Sequence, residues 1–222
     1  LLKLTDEIGL GVKDAFPVAR SLVEGAINVC FIMAEGVEAA EKASRHAEVK
    51  AYRDLSREWD AGGFKMAAGY SGRLPPDEKS RLETMLPEFT NKRGGEKGWT
   101  DKTLKQRLAR VEQAFPSSSM ISLNTSAFNV YRHASEVVHG SYFSALYFWG
   151  MTLPGRKVPA TTDDLKLTLV DHQFSVLMSA IFAFDGLISC FAAYTNLPDL
   201  ATEARTHCDR LNTLPSIKEA LT

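Results

Sequence analysis

Apolar residues recur three and four positions apart along most of this chain, and no stretch alternates β-branched with polar residues. That pattern predicts helices almost throughout. The clearest stripe runs through Leu123, Ala127, Val130, Ala134 and Val137 with Val138, on a helix expected over 120–139. Upstream, a helix over 4–15 meets Pro17, which kinks it or restarts it at a first-turn position, and a second piece follows over 18–34. A charged helix is expected over 37–70, broken near Gly62-Gly63, and another over 77–89 with Asp77 and Glu78 in its first turn. Loops fall at 71–76 and 91–99. Thr100 or Asp101 then caps a helix that ends before Pro116. Gly140 ends or bends the 120–139 helix ahead of an aromatic run at 142–149, and a turn falls at Pro154-Gly155. A long helix over 163–194 and a final one from Pro198 to Asn212 complete an all-α bundle of six to eight helices.

The late helix is the most apolar. Phe174 to Tyr194 is 21 residues long with Asp185 as its only charge, a length that spans a bilayer. A central aspartate costs about 2.5 to 3.5 kcal/mol on insertion, and no lysine or arginine belt flanks the run, so a largely buried core helix is expected in place of a membrane span. Buried, Asp185 needs a cation or several donors. Arg20, Arg132 and His139 are the candidates: an arginine partner makes the contact structural, whereas His139 would have its tautomer set by the carboxylate.

Composition adds limits. With 222 residues, 45% hydrophobic and 24% charged, the chain reads as a single helical domain over 1–222; because it starts at Leu1, it is taken as an excerpt of a longer protein. A formal charge of -1 excludes global attraction to nucleic acid or anionic lipid, so such binding requires a local patch. Cys30, Cys190 and Cys208 are odd in number and far apart, which points to a reducing, cytoplasmic setting. His207-Cys208 and Asp171-His172 read as ordinary surface or boundary residues.

Chemistry concentrates in Arg132-His133-Ala134-Ser135-Glu136-Val137-Val138-His139. At about 100° per residue, positions seven apart return almost to one azimuth, so Arg132 and His139 share a helix face. Both, with Glu136, point away from the apolar stripe, which is also what a solvated polar face looks like. Arg132-x6-His139, with polar His133 after the arginine, resembles the R-x(4-6)-H signature of the HEPN superfamily (higher eukaryotes and prokaryotes nucleotide-binding). That resemblance implies a metal-independent RNase of bacterial toxin or defence systems, acting as a homodimer in which two motifs meet. Arg132 would hold the phosphate and His139 would move protons, with Tyr131, Ser135 and Glu136 in support. About eighty residues follow the motif and Gly140-Ser141 interrupts its helix, both departures from that pattern.

A second resemblance spans more of the chain. Arg20-Ser21-x-x-Glu24, followed by Tyr131-x-x-x-Ser135-x-x-x-His139-Gly140-Ser141, is similar to a widespread bacterial family known only as a domain of unknown function, which implies a helical fold and no activity. Arg20, Glu24 and Asn28 lie four apart, so Arg20 and Glu24 also read as an intrahelical ion pair.

Remaining signals are weaker. Glu136-x-x-His139 matches one element of a di-iron bundle, but no second copy exists, so no metal and no cofactor are expected. Residues 91–110 carry seven cations against two acids, with Trp99 among them. Lys92, Arg93, Lys97 and Trp99 form a candidate RNA-docking loop, although charge runs are usually solvated faces. Glycine-rich phosphate loops and Gly-x-Ser-x-Gly are absent. The expectation is an RNA-binding or RNA-cleaving homodimer off the membrane; the competing one is a non-catalytic interaction module.

Overall fold

In the computed structural model the described residues are 11–55, 57–69, 74–152 and 158–211, with 1, 3, 9 and 155, and exclude the side chains of 208 and 211. Expectations for 4–8, Ser71 to Arg73, Pro154, the Cys208 thiol and Asn212 lie outside them. Along the chain run α1 (Gly11–Glu35), α2 (Val37–Asp54), β1 (Glu58–Ala61), β2 (Phe64–Ala67), α3 (Pro76–Met85), a 3-10 turn (Leu86–Phe89), α4 (Leu104–Ala114), α5 (Ser117–Val138), α6 (Tyr142–Phe148), α7 (Thr162–Thr195) and α8 (Pro198–Leu211). The fold is all-α apart from one hairpin, with eight α-helices among the described residues. They form two compact units, 1–34 with 104–222, and 35–103.

In the larger unit α5 and α7 form the central seam. On α7, Leu169, His172, Val176, Ser179, Ala183, Gly186 and Cys190 are buried at alternating steps of three and four, which is one helical face. Opposite them, Leu123, Val130, Ala134 and Val137 of α5 are buried as the sequence pattern predicts, while Val138 turns outward. The helices close most tightly at Gly186, where a Cβ would lie 2.6 Å from Leu123 Cγ and 3.1 Å from the Ser119 carbonyl oxygen. Only a residue without a side chain fits there. One residue earlier, buried Asp185 accepts a hydrogen bond from Ser122 of α5 and meets Arg205 Nη1 of α8 at 3.6 Å. Its partner is therefore neither Arg20, Arg132 nor His139: α8 folds back and supplies the cation. Cys30 of α1 and Cys190 of α7 are free, buried thiols that interact with one another, tying α1 to the same seam.

The outer side of α7 is less covered than the sequence suggests: Phe174, Phe184 and Phe191 stay 45–51% exposed, so this helix is partly buried. Among the described residues two helices, α1 and α7, are long and apolar enough to cross a membrane by length and composition.

Two other expectations change. Pro17 does not divide α1, which runs unbroken through it although proline removes one i→i−4 bond and crowds the carbonyl of Lys13. The charged helix expected over 37–70 ends at Asp54, and 58–67 is an antiparallel hairpin turned by Gly62 and Gly63, both at positive φ. Its register pairs Trp59 with Met66 and Ala61 with Phe64, so these apolar side chains share one exposed face while Asp60 and Lys65 pair on the other at 3.1 Å.

In the smaller unit Phe89 is fully buried. Arg53 donates to its carbonyl (2.9 Å) and to Thr90 Oγ1 (2.6 Å), and Arg45 grips Glu88 with two bonds of 3.2 Å.

Replacing Gly186 with alanine should cost about 1–3 kcal/mol by overpacking the seam. Urea denaturation of the Gly186→Ala chain measures this; an unchanged midpoint would mean that the helices part freely.

Candidate functional site

The outward face of α5 carries Ile121, Asn124, Phe128, Arg132, Ser135 and His139 at steps of three and four; all are exposed except half-buried Ser135. Arg132 and His139 do lie on one face. Seven residues of rise separate them by about 10 Å along the axis. The Arg132 guanidinium lies 5.9 Å from the Phe143 ring centroid. His139 is the last, C-capping residue of α5, and among the described residues its imidazole has no hydrogen bond or ion pair.

The residues around His139 also have a structural task. Gly140, at φ 60°, donates to the Val137 carbonyl and Ser141 to that of Glu136, a pair of bonds that closes the helix end. The Ser141 hydroxyl then accepts from Ser144 N–H and starts α6. The His-Gly-Ser run thus ends one helix and begins the next. Ser135 and half-buried Glu136 contribute carbonyls to that ending.

The first motif meets the second. Arg20 Nη2 lies 3.4 Å from Glu24 Oε1 and donates to Tyr131 Oη at 3.4 Å, with its guanidinium 4.5 Å from the centroid of the Tyr131 ring. Burial, then the bond to Glu24, raises the phenol's pKa. One turn on, Arg107 of α4 donates to Asn28, and Arg110 donates to the Ala34 carbonyl (3.0 Å) at the end of α1. This polar line staples α1 to α4 and α5. Two of the seven cations counted in the basic run are committed here.

Beside Tyr131 opens a cleft of about 560 Å³ between α4, α5, α6 and α7. Lys105, Asn124, Phe128, Asn129, Arg132 and His133 line it, and no carboxylate does. Phe128 is 85% exposed. His133 stacks on Tyr147 at 4.1 Å with 8° between the rings, and its Nδ1 is buried without a hydrogen-bond partner. His172, only 6% exposed, packs on Tyr147 at 4.3 Å, and since two rings cannot occupy one face, the tyrosine is sandwiched. Far from being a boundary residue, His172 is core: its Nε2 lies 3.0 Å from the Tyr147 carbonyl oxygen and its ring 6.0 Å from Phe16. Burial pushes Tyr147 up to about 12, with Asp171 adding to the shift. Sequence reasoning named His133 only as the polar residue after Arg132 and passed over Tyr147, Phe128 and both asparagines as site residues, because their meeting depends on how four helices pack.

In the smaller unit Lys92, Arg93 and Lys97 are exposed on an ordered loop, while Trp99 is half-buried. The Asn91 side chain accepts from Arg93 N–H (2.9 Å) and Gly95 N–H (3.0 Å), and Lys97 N–H donates to the Phe89 carbonyl (2.9 Å).

Burial holds both His133 and His172 below the usual imidazole range; Arg132 adds to the first shift and His133 to the second. The folded state therefore resists protons that an unfolded histidine takes up near about pH 6.5. Stability should be complete above that pH and fall as pH drops through it toward the lower folded values. Urea midpoints at about pH 7.5 and 5.5 test this, with a shallower decline expected for His133→Phe; a flat profile in the parent chain contradicts it.

No curated protein and no solved structure matches this chain. One family model does, over residues 7–155, a span that holds Arg20, Glu24, Tyr131 and the Arg132–His139 segment and stops before α7. The chain belongs to this family of unknown function, DUF5677.

Proposed function

We propose that this chain is an RNA-binding helical domain whose working surface is the outward face of α5, and that two copies joined along it cleave RNA without a metal, as the HEPN-like motif implies. A bacterial defence or toxin role in the cytoplasm belongs to the same reading. The observation that carries it is the cleft at Arg132: two cations and an exposed phenylalanine, with no carboxylate to repel phosphate.

The spacing of Arg132 and His139 makes a second copy part of the argument. At about 10 Å along one helix, an arginine and a histidine serve a single phosphate poorly. A two-fold axis between Ser135 and Glu136 would set Arg132 against His139 of the partner subunit, twice, because a symmetric interface pairs each residue reciprocally. In each pair the imidazole would take the 2'-hydroxyl proton, the 2'-oxygen would attack phosphorus, and the 5'-oxygen would leave with a proton from water. Arg132 would hold the charge on the phosphate. On the smaller unit, Lys92, Arg93 and Lys97 would add sequence-independent contacts.

The exposed apolar residues support the competing reading, a non-catalytic interaction module: Ile121, Phe128 and Tyr142 are 65%, 85% and 79% exposed. Incubating the chain with labelled single-stranded RNA in chelator separates the two. Cleavage abolished by Arg132→Ala and by His139→Ala, at unchanged urea midpoints, is the expected result. Affinity should fall with salt, and Arg132→Ala should reduce the logarithmic slope by about one. A chain that neither cleaves nor binds RNA leaves the interaction module.

A further inference from the structure

We infer that the Arg132 cleft is a nucleobase pocket that selects adenine in single-stranded RNA; the inference rests on the RNA-binding reading above and adds to it which base the surface reads. The cleft's volume, about 560 Å³, lies within the range of small-ligand pockets. Phe128 projects into water at 85% exposure from the cleft wall, and a base stacked on it would cover that ring. Stacking alone accepts any base, since each has a π face.

Selection comes from the asparagines. Asn124 and Asn129 line the cleft on either side of Phe128 in sequence, and among the described residues neither side chain has a hydrogen-bond partner in the protein. A carboxamide presents a donor and an acceptor in one plane, and adenine alone offers the matching pair on both its Watson–Crick (N6/N1) and Hoogsteen (N6/N7) edges, whereas on the Hoogsteen edge guanine has two acceptors and the pyrimidines have no such pair. Arg132 and Lys105, the cations of the lining, are taken by the flanking phosphates in this arrangement. An adenine therefore lies on Phe128, its N6/N7 edge against an asparagine amide, with the backbone running past Arg132.

Fluorescence anisotropy with short labelled homopolymers of A, G, U and C, read on the full chain, tests this. Oligo(A) should bind about tenfold more tightly than the others, the effect of one bidentate amide–base pair. Substituting both asparagines (Asn124→Ala with Asn129→Ala) should remove that preference, bringing oligo(A) affinity level with that of the other homopolymers. Phe128→Ala should weaken all four alike. Equal affinities in the parent chain, tighter binding of another base, or a preference that survives the double substitution would overturn the inference while leaving RNA binding intact. Failure of every homopolymer to bind would overturn the RNA reading itself, and this inference with it.

Discussion

The close approach of α5 and α7 at Gly186 governs the larger unit. Because no side chain stands between them there, Leu123 and the Ser119 carbonyl lie directly against α7, and Asp185 is carried into the interior beside them. A carboxylate in that position is tolerable only if donors reach it. Ser122 does so from α5, and Arg205 reaches in from α8 while remaining 43% exposed. The close contact, the donors that reach Oδ2 and the folding back of α8 are thus one arrangement, and Asp185 Oδ1 stays buried without a hydrogen-bond partner among the described residues. The same seam continues through Ala134 and His172 toward the Tyr147 sandwich that floors the cleft.

The helix that carries the motif is divided by its own periodicity. Its inner stripe belongs to the seam, and its flank, through Tyr131, belongs to the staple with Arg20 and Glu24. Only the outer stripe is uncommitted. Arg132 and Phe128 therefore occupy a different chemical situation from Arg20, Arg107 and Arg110, whose guanidiniums are already bound to carboxylate, amide or carbonyl oxygens. His139 shares the uncommitted stripe but sits where the backbone turns, so its position follows from how α5 ends as much as from the face it joins.

Long-range terms also decide which polar residues become interior. Ser119, Ser122 and Ser126 are buried on α5, and His172 on α7, although polar residues at such positions ordinarily face water. Ser122 is inside because Asp185 is opposite it, and His172 because Tyr147 offers it a ring and a carbonyl. The hairpin shows the reverse: Trp59, Phe64 and Met66 read as core candidates by composition yet share an exposed face, since no further layer covers a four-residue ribbon.

The amino-acid sequence by itself determined most of the helices and the buried stripe of α5, for these follow from spacing within a few turns, and the turn at Gly140 depends on neighbours within four residues. It also placed Arg132 and His139 on a common face and away from the core. Ten residues around Gly62-Gly63 escaped that logic, because charged and apolar side chains mix there without a helical or a clean alternating period. What only the tertiary structure decided is which distant groups meet: Asp185 with Arg205, Arg20 with Tyr131, and His133 with Tyr147 and His172. Those meetings depend on the angles and distances at which helices pack, and helix packing is set by the summed fit of many side chains, which no local pattern encodes.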